Sequence, residues 1–387
     1  MNILFVLKTL EIGGVEVVTS VLANKFSSEG HHVTVFAFSE GDGRKIDTFT
    51  PAVTLVIGEG FNVSDNNVKL LRNTLQKKEI SVVINQWGLP LVPIKVINRA
   101  RIGLKIKVIT VFHNDPLQNG RIQCVNTEIE KTKSFLKKMV LTIKRFAYRC
   151  VTGYAMRYNY NYSDIYEVLS QSFIDNFKQF TKLRNPKKLV VQTNPITISN
   201  EGFRFDVNKK EKEVIYVGRL ENTQKRVKRI LETWNLIEAK HPEWRLTFVG
   251  DGEEREVMQM FVEEKGLKNV YFEGFQSPRK YYERASILIL TSEFEGFPLV
   301  LAECMSFGVV PVVYGSFLSV YDIIRDNING FIIPKSSIEF SNTKMSSVLD
   351  RIMADVRRLG LIAHNAFEDS KAYSIDTIYK QWENTLT

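Results

Sequence analysis

Residues 286–308 read SILILTSEFEGFPLVLAECMSFG. The opening ILIL is a continuous apolar run, the pattern of a parallel strand buried on both faces. A polar loop with Glu295 and Gly296 follows. Pro298 suits a first helical turn, where its missing N–H costs nothing. LVLAECMSF then reads as a short helix, with Gly308 placed to end it. Strand, polar loop, helix is the repeating unit of a parallel α/β sheet. It puts Glu295 in the loop at the strand's C-terminal edge and Glu303 one to two turns inside the helix.

The same order recurs outward. VIYVG (214–218), RLTFVG (245–250), NVYFEG (269–274) and VVPVVYG (309–315) are further buried-type strands, with VKRILETWNLIEA and EREVMQMFVEEKG as helical patterns between them. Toward the N-terminus, ILFVL (3–7), HHVTVFAF (31–38), SVVIN (81–85) and KVITVFH (107–113) are strand-like, and VVTSVLANKF after Gly13 and Gly14 has helical spacing. Both halves therefore read as doubly wound α/β. A length of 387 residues is near twice the usual domain size. The expected domains are 1–197 and 198–371, with the polar stretch ISNEGFRFDVNKKEKE (198–213) as linker. The last helical pattern, 372–387, is free to return to either.

Composition narrows the class. With 44% hydrophobic and 25% charged residues the chain is ordinary globular protein. No apolar run reaches membrane-span length, and MNILFVLK lacks a charged n-region and cleavage site, so no signal peptide is expected. Cys124, Cys150 and Cys304 are odd in number and include no CxxC, which fits a reducing cytoplasm better than a disulfide framework. The net charge of +9 suits anionic partners: phosphates, nucleic acid or an acidic membrane.

From Lys131 to Ser163 there is no acidic residue. Lys131, Lys133, Lys137, Lys138, Lys144, Arg145, Arg149 and Arg157 accompany Phe135, Leu136, Met139, Val140, Ile143, Phe146, Ala147 and Cys150 at 3–4 spacing. This is an amphipathic helix with a cationic side. Two readings stand: a core-packing helix with solvated lysines, or an in-plane helix over 131–149 on an anionic bilayer. Nucleic acid is not expected, since no stacking or base-reading module accompanies the charge.

In open α/β sheets, ligands bind outside the strand C-termini. Helical side chains tilt toward the N-terminus, so Glu303 leans toward the edge where Glu295 sits. Carboxylates repel a diphosphate but accept hydrogen bonds from hydroxyls, while free N–H groups at a helix start attract phosphate. Together these read as a nucleotide-sugar site. The plainer alternative is a helix-start Glu favoured by the dipole and one ordinary helical Glu. YVGRLENTQKR (216–226) adds Arg219 and Lys225 after another strand end. Two cations there can neutralise a departing diphosphate; otherwise they are a solvated basic loop.

The second half resembles the retaining glycosyltransferases of family four. The stretches VGRLENTQKRVKRILETW, LTFVGDGEE, VYFEGF, SILILTSEFEGFPLVLAECMSFGVVPVV and DNINGFII carry the resemblance, spanning most of 214–334. The spacing of Glu295 and Glu303 is its most specific element. The first half matches more loosely, through IGGVE (12–16), GHHVTVF (30–36), the strand ending in His113, and LS after YEV (166–170).

The resemblance implies a GT-B fold, α/β, with two doubly wound Rossmann-like domains facing a central cleft. Arg219 and Lys225 match the pair that holds the donor diphosphate. Glu295 matches the acid that contacts the donor sugar, with Gly296 and Phe297 beside it, and Glu303 the acid that grips the ribose. Gly14 would let backbone approach the diphosphate or acceptor, and His113 would lie beside the transferred sugar. Glu295, His113, Arg219 and Lys225 are thus the residues expected at the reaction. The family further implies no cofactor and no metal, a UDP-sugar donor with a GDP-sugar next, and a saccharide acceptor. That acceptor is expected on a lipid such as a polyprenyl, in bacterial surface polysaccharide synthesis on the inner face of the plasma membrane. Another GT-B enzyme, such as a nucleotide-sugar epimerase, and a non-catalytic sugar-nucleotide or membrane-binding module stay open. Three positions depart from the family pattern: Arg226 replaces a common glycine, Cys304 a common alanine, and GVVP is one residue longer than usual.

Overall fold

The short apolar runs become parallel strands because each is covered on both faces by helices. The computed structural model describes residues 1–118, 120–336 and 340–386. It divides into two units, Met1–Thr197 with Ile375–Thr387, and Ile198–Ser374.

Unit 1 has strands β1 (Asn2–Leu7), β2 (His32–Ala37), β3 (Thr54–Ile57), β4 (Val82–Asn85), β5 (Lys107–Phe112), β6 (Ile165–Val168) and β7 (Leu189–Val191). Its helices are α1 (Gly14–Ser28), α2 (Asp65–Lys77), α3 (Leu91–Ala100), α4 (Gly120–Lys131), α5 (Phe135–Tyr162) and α6 (Phe173–Thr181). The sheet order is β3-β2-β1-β4-β5-β6-β7, with every pair parallel. Leu4, Val6, Phe36, Val83 and Val108 from the strands pack with Leu71, Leu75, Ile94 and Ile97 from α2 and α3 as one core.

Unit 2 has strands β8 (Glu213–Val217), β9 (Arg245–Val249), β10 (Val270–Gly274), β11 (Ile287–Leu290), β12 (Val310–Gly315) and β13 (Phe331–Pro334). Its helices are α7 (Lys228–Asn235), α8 (Arg255–Lys265), α9 (Arg279–Arg284), α10 (Leu299–Met305), α11 (Val320–Ile323), α12 (Asn342–Ala354) and α13 (Val356–Ser370). The order β10-β9-β8-β11-β12-β13 is again all parallel. The last helix, α14 (Ile375–Leu386), packs on α1 of unit 1. Tyr379 and Trp382 meet the Phe26 ring edge-on at 5.4 and 5.9 Å, and Asp376 pairs with Lys25 at 2.6 Å.

Two stretches differ from their sequence reading. Residues 198–213 are not a loose linker. Phe203 lies 4.9 Å from Phe307 and Phe205 5.2 Å from Phe367, so this polar segment is held on unit 2 by two aromatics. Gly308, at φ +68, is needed there: a Cβ would sit 2.1 Å from the Phe205 ring. The basic helix does not run over 131–149: Lys131 ends α4, residues 132–134 break the helix, and α5 runs from Phe135 to Tyr162 with only its second half in the core. Thr152, Gly153, Met156, Asn159 and Tyr160 are buried, whereas Leu141 is the one buried apolar residue among 135–146. The core-packing reading of the apolar stripe is therefore overturned. Phe135, Leu136, Met139, Val140, Ile143 and Phe146 are between 49% and 79% exposed. Periodicity identifies an apolar side of a helix but does not say that the domain covers it.

Candidate active site

Strands β8 and β11 are neighbours, so the loops that leave their C-terminal ends lie side by side. Hydrogen bonds join them. Glu293 N–H donates to the Gln224 carbonyl at 2.7 Å, and Thr291 Oγ1 donates to the Lys225 and Arg226 carbonyls at 3.1 Å each. The β8 loop is also shaped from within. The Glu221 carboxylate accepts from the N–H groups of Thr223 at 2.7 Å, Gln224 at 3.0 Å and Lys225 at 2.7 Å. Partial burial would raise its pKa, but these donors outweigh it and hold the carboxyl below its ordinary range. Glycines let the next loop close in: a Cβ at Gly250 would lie 1.9 Å from the Gly218 carbonyl oxygen, and one at Gly252 2.3 Å from that of Leu220. This is the physical content of FVGDGEE.

The two loops bring three of the expected residues together. Lys225 Nζ lies 2.5 Å from Glu295 Oε1, with 17% and 8% of the two side chains exposed. Gln224 Nε2 donates to Glu295 Oε2 at 3.2 Å and to the Phe294 carbonyl at 3.1 Å, while its Oε1 accepts from Arg219 at 3.4 Å. Arg219 itself is exposed. Gln224 and Glu221 were passed over in the sequence, although both stand inside LENTQKR between the two cations. The Gly296 carbonyl accepts from Ser319 Oγ at 2.5 Å, and Phe297 packs 5.7 Å from Tyr373, which pins the loop ahead of α10. Arg226 holds φ +55, the left-handed region that glycine favours, so the turn keeps a glycine-like shape without the glycine.

Glu303 has a different setting. It is 5% exposed on α10 and accepts from the Tyr282 hydroxyl at 3.1 Å. Burial, together with the neighbouring Glu303 charge, pushes the Tyr282 phenol well up, so it stays a donor.

The remaining expected residues belong to unit 1. His113 follows β5, and its Nε2 donates to Gln86 Oε1 at 2.7 Å, Gln86 following the adjacent β4. Burial pushes its imidazole down to about 4, so it is neutral near pH 7. Gln86 Nε2 and Trp87 Nε1 are buried polar atoms without a hydrogen-bond partner, and Lys8 lies 5.8 Å from the Trp87 ring. Gln86, Trp87 and Lys8 had drawn no notice in the sequence; each directly follows or lies just beyond a strand, the signal that could have found them. Gly14 is the exposed first residue of α1, after Gly13 in an extended N-cap conformation. Nearby Glu16 is buried, which raises its carboxyl to about 7. Among the described residues, no group of three or more His, Cys, Asp or Glu is gathered as a metal site, and no helix is long and apolar enough to cross a membrane.

Comparison with known proteins agrees with this architecture. Residues 12–198 match the family model described as Glycosyltransferase Family 4, and residues 198–356 the model described as Glycosyl transferases group 1. The chain is 24% identical over 393 residues to a Campylobacter jejuni protein, covering 99% of this chain and 97% of that one. That protein is named GalNAc-alpha-(1->4)-GalNAc-alpha-(1->3)-diNAcBac-PP-undecaprenol alpha-1,4-N-acetyl-D-galactosaminyltransferase. This chain is also 22% identical to the amylovoran biosynthesis glycosyltransferase AmsD of Erwinia amylovora, over 97% and 96% of the two chains. Among solved structures, Anabaena HepE in complex with UDP shares the fold with a TM-score of 0.73 at 16% identity, covering 100% of this chain and 99% of that one. The two family models meet at residue 198 and take in most of the sequence between them: the chain belongs to the family-four glycosyltransferases of the GT-B fold.

Proposed function

We propose that this chain is a retaining, metal-independent glycosyltransferase of bacterial surface polysaccharide synthesis. It moves a sugar from a UDP-sugar to a hydroxyl of a lipid-linked saccharide. The observation that carries the reading is the Lys225–Glu295 pair, bridged by Gln224 to Arg219 on two adjacent strand ends. Arg219 and Lys225 offer fixed positive charge to the β-phosphate as it takes up negative charge on leaving, the task a divalent ion would otherwise perform. Glu295 accepts hydrogen bonds from hydroxyls of the transferred sugar, and Glu303 from the ribose. The bond from the anomeric carbon to phosphate oxygen breaks, the acceptor oxygen bonds the same face, and its proton passes to the departing phosphate. His113, neutral near pH 7, can hydrogen-bond the sugar without placing positive charge beside an anomeric carbon that is itself becoming cationic.

Two relatives supply the finer choices. The UDP held by HepE favours UDP over GDP, and the undecaprenyl diphosphate in the Campylobacter protein's name favours a polyprenyl-linked acceptor. A thermal-shift series with UDP, GDP, ADP and dTDP tests the donor, since only a nucleotide bound by the folded state raises the melting temperature. UDP should give the largest rise. Turnover should persist in excess EDTA; activity lost to EDTA and restored by Mg²⁺ or Mn²⁺ would show that the two cations do not replace a metal.

A further inference from the structure

The chain leaving β4 is pinned against its neighbours more firmly than strand pairing requires. Gly88 N–H donates to the Val111 carbonyl at 2.9 Å, and a Cβ on Gly88 would sit 2.6 Å from that oxygen, so the approach needs glycine. The buried Tyr166 hydroxyl donates to the Gly88 carbonyl at 2.8 Å. Asn85 Oδ1 accepts from the Trp87 N–H at 3.1 Å, while its Nδ2 donates to Thr110 Oγ1 at 3.4 Å. Gln86 N–H donates to the Val6 carbonyl at 3.1 Å. Partners on β1, β5 and β6 thus fix the backbone of residues 85–88, and with it the direction in which Gln86 reaches.

Gln86 is 1% exposed, and its amide is spent on one side only. Oε1 accepts from His113 Nε2 at 2.7 Å, while Gln86 Nε2 has no hydrogen-bond partner among the described residues. A glutamine buried for stability alone pairs both ends, because an unmade bond in the interior is costly. Here the satisfied end is the one that faces the histidine. A neutral imidazole carries one proton, so one nitrogen donates and the other accepts. An acceptor held 2.7 Å from Nε2 makes the choice: the proton sits on Nε2 and the lone pair on Nδ1. Asp115 does not compete for the ring. Its Oδ1 accepts from Leu117 N–H at 2.9 Å and Asn176 Nδ2 at 2.8 Å, and its Oδ2 has no partner. His113 Nδ1 has none either among the described residues.

We propose that Gln86 is a positioning residue for the transfer: it holds His113 as the Nε2–H tautomer, so that Nδ1 accepts a hydrogen bond from a hydroxyl of the transferred sugar. The sugar partner rests on the transferase reading; the tautomer does not. A requirement on the substrate follows. The sugar must turn a hydroxyl to His113, since an ether or carbonyl oxygen has no proton to give Nδ1. The choice of an amide follows too. Its oxygen takes the Nε2–H bond without adding charge, whereas a carboxylate there would favour a second proton on the ring and remove the lone pair.

The test reads the ring directly. Long-range nitrogen–proton spectra of protein labelled in its histidines tell the two neutral tautomers apart, and the His113 signals are those absent from a His113→Ala variant. Near neutral pH the parent should show the Nε2–H form alone. Gln86→Leu, similar in size and unable to accept, should show both tautomers. Its kcat for UDP release from a UDP-sugar should fall about tenfold, the scale of one lost hydrogen bond. Calorimetric UDP affinity should be unchanged, because the nucleotide's proposed partners, Arg219, Lys225 and Glu303, belong to unit 2. The double variant Gln86→Leu/His113→Ala should be no slower than His113→Ala, since a residue acting only through another adds nothing once that one is gone. Gln86→Glu keeps an acceptor for Nε2–H but adds charge, so the His113 titration should rise from about 4. Its turnover should approach the parent's in alkaline buffer and fall as the ring protonates with falling pH. Circular-dichroism melts check that each variant is folded. An Nδ1–H tautomer in the parent, or the Nε2–H form persisting alone in Gln86→Leu, would overturn the hold on the ring. Slow turnover of Gln86→Leu with the tautomer unchanged, or a double variant slower than His113→Ala, would make Gln86 a packing residue. Normal turnover of Gln86→Leu would overturn the positioning role. A parent that turns over no UDP-sugar would sink the transferase reading instead, while the spectra still decide the tautomer.

Discussion

The loops after β8 and β11 and the outer half of α5 each carry several cations, and they treat them in opposite ways. In the loops, Lys225 meets Glu295 at 2.5 Å, Glu293 is met at 2.9 Å by Arg229 from the start of α7, and Glu221 is wrapped by backbone N–H groups. On α5, Lys137, Lys138 and Lys144 have no carboxylate partner among the described residues. A paired cation in a shaped loop is selective: a ligand must share it with, or take it from, a carboxylate already in place. Unpaired lysines on an open helix attract any anionic surface, weakly and with strong dependence on salt. The presence of cations alone treats the two regions alike; their partners separate them.

The largest expected effect comes from emptying the paired site. Lys225→Ala and Arg219→Ala should each lower kcat by roughly 10²-fold or more, the scale of losing one transition-state stabiliser. They should part in stability. Lys225→Ala strands Glu295, and removing one partner of a fully buried ion pair costs about 3–5 kcal/mol. The cost should be smaller here, because 17% of the Lys225 side chain is exposed, yet still visible in a thermal melt. Arg219→Ala, at an exposed position, should melt like the parent, as should Lys137→Ala on α5. Near-normal turnover in both loop variants would remove the diphosphate role. Equal melting of Lys225→Ala and Lys137→Ala would erase the contrast between paired and unpaired cations.

A smaller effect separates the two acids. Glu295→Gln should mainly lower turnover, because its proposed partner is the reacting sugar and because Lys225 loses its counter-charge. Glu303→Gln keeps an acceptor for Tyr282 and should mainly weaken nucleotide binding, by about tenfold, the worth of one hydrogen bond to a charged group. Calorimetric UDP affinity measured beside kcat for each variant decides the matter; matching profiles would refute separate roles.

These outcomes bear on what could be read before the structure was known. The buried parallel strands were legible because both faces of each are apolar, as in ILIL and VVIN. The edge strands β3 and β7, only four and three residues long and half-exposed, gave no such run and were missed. Arg219, Lys225 and Glu295 were legible as polar residues just past strand ends. Their pairing was not, because it depends on β8 lying next to β11, a neighbour relation that chain order conceals. Gln224 and Glu221 went unnoticed for the same reason: their partners are backbone groups and a loop about seventy residues away. The α5 stripe was legible as a pattern, but its direction was decided by which side meets α4 and α6, and no local period encodes that.

The smallest effect concerns Arg226, where the family pattern has glycine. Its φ of +55 costs a non-glycine residue on the order of 1 kcal/mol. The side chain returns little: its Nε is buried without a hydrogen-bond partner and lies 3.9 Å from Glu293, which Arg229 already holds at 2.9 Å. Arg226→Gly should relieve the strain, offset in part by the greater freedom glycine gives the unfolded chain. Arg226→Ala removes the same side chain and keeps the strain, so it is the proper reference. Glycine should melt above alanine by up to about 2–4 °C, the shift that the full ~1 kcal/mol would produce in a unit of this size. Turnover should stay within about twofold of the parent, because the Glu221 carboxylate and Thr291 hydroxyl hold the turn whichever residue occupies it. If alanine and glycine melt together, the left-handed turn is not strained in solution, and the shape of the Lys225 loop rests on its hydrogen bonds alone.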